Sequence, residues 1–159
     1  MRRRYLLLCF FVLAGASRAQ SPSAAPLPTG CPWLTQGSAA KALGGAVSAT
    51  AHLSDAGEGW CNFTRQEKPD AFLKVEISKT ALPSCGADGT KLRGVGNEAM
   101  RCSIPGSGDQ RGEMISGRVR DLYFVIILEA GTKKTSADSA GAQEDVFQQV
   151  AEQVAGNLF

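Results

Sequence analysis

The sequence predicts an α+β domain in which an antiparallel sheet of about six strands is covered by a short N-terminal helix and a C-terminal helix, with two disulfides. Three observations carry this expectation. Residues 46–54 and 71–79 alternate apolar and polar side chains with period two, the pattern of half-buried strands. Residues 122–128, Leu-Tyr-Phe-Val-Ile-Ile-Leu, are an unbroken apolar run rich in β-branched and aromatic side chains, which suits a central strand covered on both faces. Phe147, Val150, Ala151, Val154 and Leu158 fall at i, i+3, i+4, i+7 and i+11, one apolar helical stripe backed by Gln148, Gln149, Glu152 and Gln153.

The chain begins with a stretch that reads as address rather than fold. Arg2-Arg3-Arg4 is a basic start, residues 5–13 are apolar, and small residues follow, so residues 1–19 are expected to be an export signal cleaved after Ala16 or Ala19. The apolar run is well short of the ~20 residues that a spanning helix needs, which disfavours a retained membrane anchor. Leu13-Ala14-Gly15 resembles the start of a lipidation signal, but Ala16 stands where a cysteine is required, and Cys9 lies inside the apolar run. The expected product is therefore exported, periplasmic or extracellular, and not lipid-anchored. Residues 20–30, with Pro22, Pro26 and Pro28 among Ser and Ala, read as a disordered leader, because they lack the apolar surface to order themselves. Residues 31–159 show no internal repeat and no second composition zone, and are expected to form one domain.

Removing residues 1–19 takes away four arginines and no acid, leaving 13 basic residues against 15 acidic ones. The remaining chain is close to neutral, with no basic patch to favour nucleic acid or an anionic membrane surface. It keeps four cysteines, Cys31, Cys61, Cys85 and Cys102. In an exported chain an even count reads as two disulfides with three possible connectivities, of which Cys31 with Cys61 and Cys85 with Cys102 is favoured because each pair joins neighbouring segments. A zinc site is disfavoured by the lack of Cys-x-x-Cys spacing and by the single histidine.

Taken in order, Cys31-Pro32-Trp33-Leu34 opens the domain. Thr35 is a plausible N-cap for a helix through Leu43, with Ala39, Ala40 and Leu43 as its apolar stripe and Gly44-Gly45 as its stop. Trp33 precedes the cap and is expected to pack back as a core residue rather than to serve as a ligand platform. Residues 46–54 form the first strand, 55–59 a glycine turn, and 60–64 a strand with Cys61 and Phe63 on one face. A turn at 67–70 leads to the strand at 71–79, where Lys74 and Glu76 share the solvent side. Residues 80–97 read as a long irregular region tied down at Cys85, and a loop of that length is commonly functional. A short strand at 99–103, a connection through 105–112 and the hairpin 114–119/122–128 follow. Residues 131–141 read as a polar linker before a helix from about Ala142.

Signatures of catalysis are thin. His52-Leu53-Ser54-Asp55 contains the residue types of a hydrolase triad, but His52 and Ser54 lie along one strand without convergent geometry. Gly57-Glu58-Gly59 lacks the later glycine of a dinucleotide loop, and no cofactor motif is present. Asn62-Phe63-Thr64 is a formal glycosylation sequon. The closing helix carries acids and glutamines but no lysine on its polar face, which disfavours membrane insertion.

The order of elements resembles the DUF3558-like family, small exported bacterial domains of unknown function best known as actinobacterial lipoproteins. The residues that match are Cys31-Pro32-Trp33-Leu34-Thr35 before the Ala-rich helix, Trp60-Cys61-Asn62-Phe63 on the strand that carries the partner cysteine, and Gly94-Val95-Gly96-Asn97-Glu98-Ala99 as the family's glycine turn. The resemblance spans about residues 31–158 and implies architecture and export more than mechanism. The chain departs from the family in lacking a lipidation cysteine and in carrying Cys85 with Cys102 as an extra pair.

A non-catalytic extracytoplasmic binding or interaction domain is thus expected, whose partner is an envelope or extracellular protein or a small ligand. The alternatives are a secreted inhibitor presenting the braced loop 84–91, and a small hydrolase using His52 with Asp55 or Glu58. The central strand needs a cover on its second face. Either the N-terminal helix reaches it, or Tyr123, Val125 and Ile127, alternating with Phe124 and Ile126, stay partly exposed as an apolar groove. Trp33, Tyr123, Val125 and Ile127 are accordingly the candidate binding surface.

Overall fold

The computed structural model describes residues 30–106, 111–129 and 137–159, with backbone alone for Asp70, Arg111 and residues 137–145. The expected signal at 1–19 and the leader up to residue 29 lie outside the described residues, as does most of the linker at 131–141. The elements are α1 (Gln36–Leu43), β1 (Val47–Leu53), β2 (Gly59–Arg65), β3 (Lys68–Ser78), β4 (Thr90–Leu92), β5 (Glu98–Pro105), β6 (Arg111–Val119), β7 (Leu122–Glu129) and α2 (Ala137–Gly156). Among the described residues seven strands form one sheet, in the order β1-β2-β3-β7-β6-β5-β4, and every pairing is antiparallel. This is the expected α+β architecture with one strand more. The addition is β4, three residues inside the stretch read as irregular, too short for any periodicity to reveal.

Local chemistry sets the boundaries of α1. Thr35 Oγ1 accepts from the Ser38 N–H at 3.1 Å, and Gly44 adopts φ 67° beyond the last turn. There the Gly45 N–H closes back on the Ala40 carbonyl at 3.0 Å, a left-handed cap that glycine adopts without a Cβ penalty. The helix buries Ala39, Ala42 and Leu43, so Ala42 replaces Ala40 in the expected stripe. α2 begins at Ala137, five residues before the expected start, because Gly141 and small residues give its first turns no apolar stripe to betray them. β3 likewise starts at Lys68, where a turn was expected. Pro69 is tolerated because the register shifts there, Thr64 facing Phe72 but Arg65 facing Lys68.

Both helices lie on the same face of the sheet, α1 over β1–β3 and α2 over β6 and β7, and they touch each other. Period-two alternation directs Cys61, Phe63, Leu73, Val75, Ile77, Ile115, Phe124 and Ile126 to that face, where they meet Phe147, Val150 and Val154 of α2. Fully burying each such side chain contributes roughly 1.5–3 kcal/mol, so this layer is the main source of stability. The Cys31–Cys61 disulfide, with Cα atoms 5.7 Å apart, pins the segment before α1 to β2.

The opposite face carries no helix among the described residues. Instead residues 79–89 fold back across it, held by the Cys85–Cys102 disulfide to β5 and by the Cys85 N–H donating to Ser116 Oγ at 3.1 Å. A second, small apolar cluster forms beneath: Cys85, Met114 and Val125, flanked by Leu82, Met100, Ile104 and Ile127. The central strand is therefore covered on both sides, but its second cover is this disulfide-held segment and not α1.

The β6–β7 hairpin closes through the two-residue turn Arg120-Asp121, with Arg120 at φ 55° and Val119 facing Leu122. Asn97 clamps it. Its N–H donates to the Arg118 carbonyl at 2.8 Å and its Oδ1 accepts from the Arg120 N–H at 2.6 Å. This close approach needs Gly96, whose φ is 61° and where a Cβ would stand 2.7 Å from the Arg118 oxygen.

Candidate functional site: a cleft roofed by the Cys85 segment

Strand register lays two adjacent rows of side chains across the helix-free face. One runs Ser78, Tyr123, Arg118, Glu98 and the next runs Glu76, Val125, Ser116, Met100, Lys91. Residues 81–85 pass above them and leave a cleft of about 430 Å³ between roof and sheet. Its polar groups are Tyr123, Arg118, Glu98, Lys91, Ser84 and Ser116; Leu82, Pro83 and Met100 supply apolar wall. That mixture, apolar surface with a few convergent polar groups, is the usual make-up of a ligand site, and the volume lies in the usual range.

The charges in the cleft are two cations and one anion. Arg118 Nε donates to Glu98 Oε1 at 2.9 Å across neighbouring strands. Their side chains are 43% and 59% exposed, so the pair orients groups more than it stabilises, at under about 1 kcal/mol. Lys91 takes part in no ion pair among the described residues, which leaves the cleft with net positive charge. A smaller depression at the β4–β6 end of the sheet, on the helix-covered side, is lined by Arg101, whose Nη2 donates to Glu113 Oε2 at 2.6 Å while the guanidinium lies 5.4 Å from the centre of the Phe147 ring. That arginine is structural, joining β5 and β6 to α2.

The other half of the face is formed by β1–β3. His52 and Trp60 face each other across β1 and β2, with ring centroids 6.1 Å apart and planes at 27°. Lys74 Nζ donates to Glu76 Oε2 at 2.8 Å as expected for that pair. Among the described residues no carboxylate is bonded to His52; Glu58 instead accepts from the Lys79 N–H. The acid, base and hydroxyl of a triad are not brought together.

The four residues expected to form one surface are separated. Trp33 is 5% exposed in the helix-covered core, where its carbonyl accepts from Asn157 Nδ2 at 2.9 Å, so it is a core residue and not a surface one. Val125 is 4% exposed under the Cys85 segment, and Ile127 is half-buried in the same cluster. Tyr123 alone lines the cleft. Arg118 could have been found with it, since a two-residue turn at 120–121 places it opposite Tyr123. Lys91 and Glu98 had no such signal, because their position depends on a strand too short to recognise.

Both expected disulfides are present, so all four described cysteines are consumed and no thiolate is left for a metal. Among the described residues no cluster of three His, Cys, Asp or Glu side chains could hold a metal ion, and no helix is long and apolar enough to cross a membrane. Comparisons with protein-family models, with curated proteins and with solved structures find no match to this chain.

Proposed function

We propose that the protein is an extracytoplasmic binding domain that takes its ligand, a small molecule or a segment of an envelope or extracellular protein, in the cleft under residues 81–85. The observation that carries this reading is the roof itself. A segment without regular structure is held over the sheet by a disulfide, and the space beneath it is walled rather than filled. Two disulfides support an oxidising compartment, since such bonds persist outside the cytosol. The basic and apolar start of the chain and the resemblance to DUF3558-like domains support export. The inhibitor alternative is less well supported, because a loop that enters another protein must project. Here Cys85 is buried and residues 90–92 are paired into the sheet, so only 86–88 stand clear as a run.

Amide chemical-shift mapping of a fragment library against the oxidised protein tests the proposal. Shifts should concentrate at Ser84, Lys91, Ser116, Arg118 and Tyr123, and Tyr123→Ala should weaken every hit while His52→Ala leaves them unchanged. Hits that cluster on the His52–Trp60 half of the face, or that survive Tyr123→Ala unaltered, would refute it.

A further inference from the structure

We infer that β1 is a docking edge for a second copy of this chain, pairing antiparallel with its own counterpart about a two-fold axis at Thr50. The two edges of the sheet are unlike. β4 is three residues long and carries Lys91, with Arg93 just beyond it, the short charged form that discourages strand addition. β1 is seven residues long, and from 46 to 54 the chain has no Lys, Arg, Asp, Glu, Pro or Gly and no register shift against β2. Among the described residues none of the usual protections of an edge is present.

The phase of its hydrogen bonds shows what that edge offers. Just beyond the strand's two ends the Ser54 N–H donates to the Glu58 carbonyl at 2.8 Å, and the Gln66 N–H donates to the Ala46 carbonyl at 2.9 Å. Pair types alternate along an antiparallel ladder, so the even residues Ser48, Thr50 and His52 exchange bonds with β2. The amides and carbonyls of Val47, Ala49, Ala51 and Leu53 therefore point away from the sheet, and among the described residues nothing receives them. A second observation concerns the same four residues: their side chains lie on the helix-covered face but are only half-buried, unlike Cys61 and Phe63 of β2 and Ala71, Leu73, Val75 and Ile77 of β3. The edge thus presents outward-facing backbone groups beside incompletely covered apolar surface.

A second copy fits both features in one register. Outward residues must face outward residues, and the register that uses all four on each copy sets Val47 opposite Leu53 and Ala49 opposite Ala51, with Thr50 opposite the partner's own Thr50. Apolar side chains meet on the covered face, Ser48 faces His52 on the open face, and no charge is brought against a like charge. The result is a continuous sheet across the dimer, an isologous contact that closes on itself. Because the strand contact is small, the dimer is expected to be weak and concentration-dependent.

Three measurements on the full oxidised chain decide the matter. Sedimentation velocity up to about 1 mM, a range suited to weak contacts, should show rising association. Thr50→Lys, which sets two like charges at the axis while leaving the solvent-exposed site of the monomer unstrained, should weaken it at least tenfold. Amide exchange at Val47, Ala49, Ala51 and Leu53 should slow as concentration rises. Thr50→Cys should form an interchain disulfide, since facing non-hydrogen-bonded residues have Cα atoms about 4.5 Å apart, within disulfide range. Ser54→Cys, which faces Ala46 in this register, should not. A protein that stays monomeric throughout, or that cross-links equally through positions 50 and 54, overturns the inference.

Discussion

Replacing Cys85 and Cys102 together by alanine tests the view that the roof of the cleft is held by the disulfide rather than by its own packing. The bond closes a loop across 17 residues, and restricting an unfolded chain over that length is worth about 3 kcal/mol at 25 °C. A urea titration should therefore show a loss of that order. The sharper consequence is local. Without the bond, residues 81–89 are held to the sheet by one hydrogen bond from the residue-85 N–H to Ser116 Oγ and by the half-buried Leu82. Those contribute about 1 kcal/mol each, given the net worth of a hydrogen bond and of partial leucine burial. The amide of residue 85 should then open at about 2 kcal/mol, a protection of only about 30-fold, while amides of β6 and β7 stay tied to global unfolding. Cleft ligands should be lost with it.

Removing Cys31 and Cys61 is the control. That loop spans 30 residues, so the loss of stability should be larger by about 0.5 kcal/mol, yet protection at residue 85 relative to the core should not change. Native-state hydrogen exchange on the two double variants and the parent reads both effects. If the amide of residue 85 in Cys85→Ala/Cys102→Ala remains as protected as the β6–β7 core, the segment is held by packing, and the assignment of the disulfide as the brace of the cleft is refuted.

Two further outcomes test the helix-covered layer. Thr35→Ala removes the acceptor of the Ser38 N–H and should cost about 1 kcal/mol in denaturant unfolding, with m unchanged; a neutral result would mean that α1 is held by tertiary packing alone. Gly117→Ala should cost about 1–3 kcal/mol or more, since the added methyl would meet the Phe124 ring and stand 2.6 Å from the Glu98 carbonyl, which belongs to the neighbouring strand and cannot swing aside. An unchanged urea midpoint would show that the β5–β6 spacing is softer than the structure indicates.

The helix-covered half of the fold was legible because its signals are periodic and local. Alternation at 46–54 and 71–79, the stripe of α2 and the cap at Thr35 each state a face without needing a partner. The cleft was not legible in that way. Its roof has no period, β4 has three residues, and the position of residues 81–85 follows from a disulfide whose far end is 17 residues away. One misplacement was avoidable. Cys61 shares a face with Phe63, and once Cys31 is bonded to Cys61, residues 32–34 must enter on that same face, under the helices. The disulfide assignment therefore already implied that Trp33 is core, and it conflicted with placing Trp33 on a surface with Tyr123.

The same parity argument locates what the fold leaves available for binding. Crossing the two-residue turn at 120–121 sets even positions of β6 opposite odd positions of β7, so Ser116 and Arg118 share a face with Val125 and Tyr123, while Ile115 and Val119 go with Phe124 and Ile126 into the core. Register carries the first set on to Met100 and Glu98 of β5. The apolar run of β7 supplies both faces alike, which is why it hides the difference between them. Its neighbour β6 does not: Ser116 and Arg118 are polar groups that a second hydrophobic layer would have had to desolvate at a cost of roughly 1–3 kcal/mol each without partners. A thin, disulfide-held strap that bonds Ser116 and leaves Arg118 solvated meets that constraint, whereas a packed helix does not. The open cleft thus follows from the composition of β6, and the apolar run that first marks the centre of the sheet is only its floor.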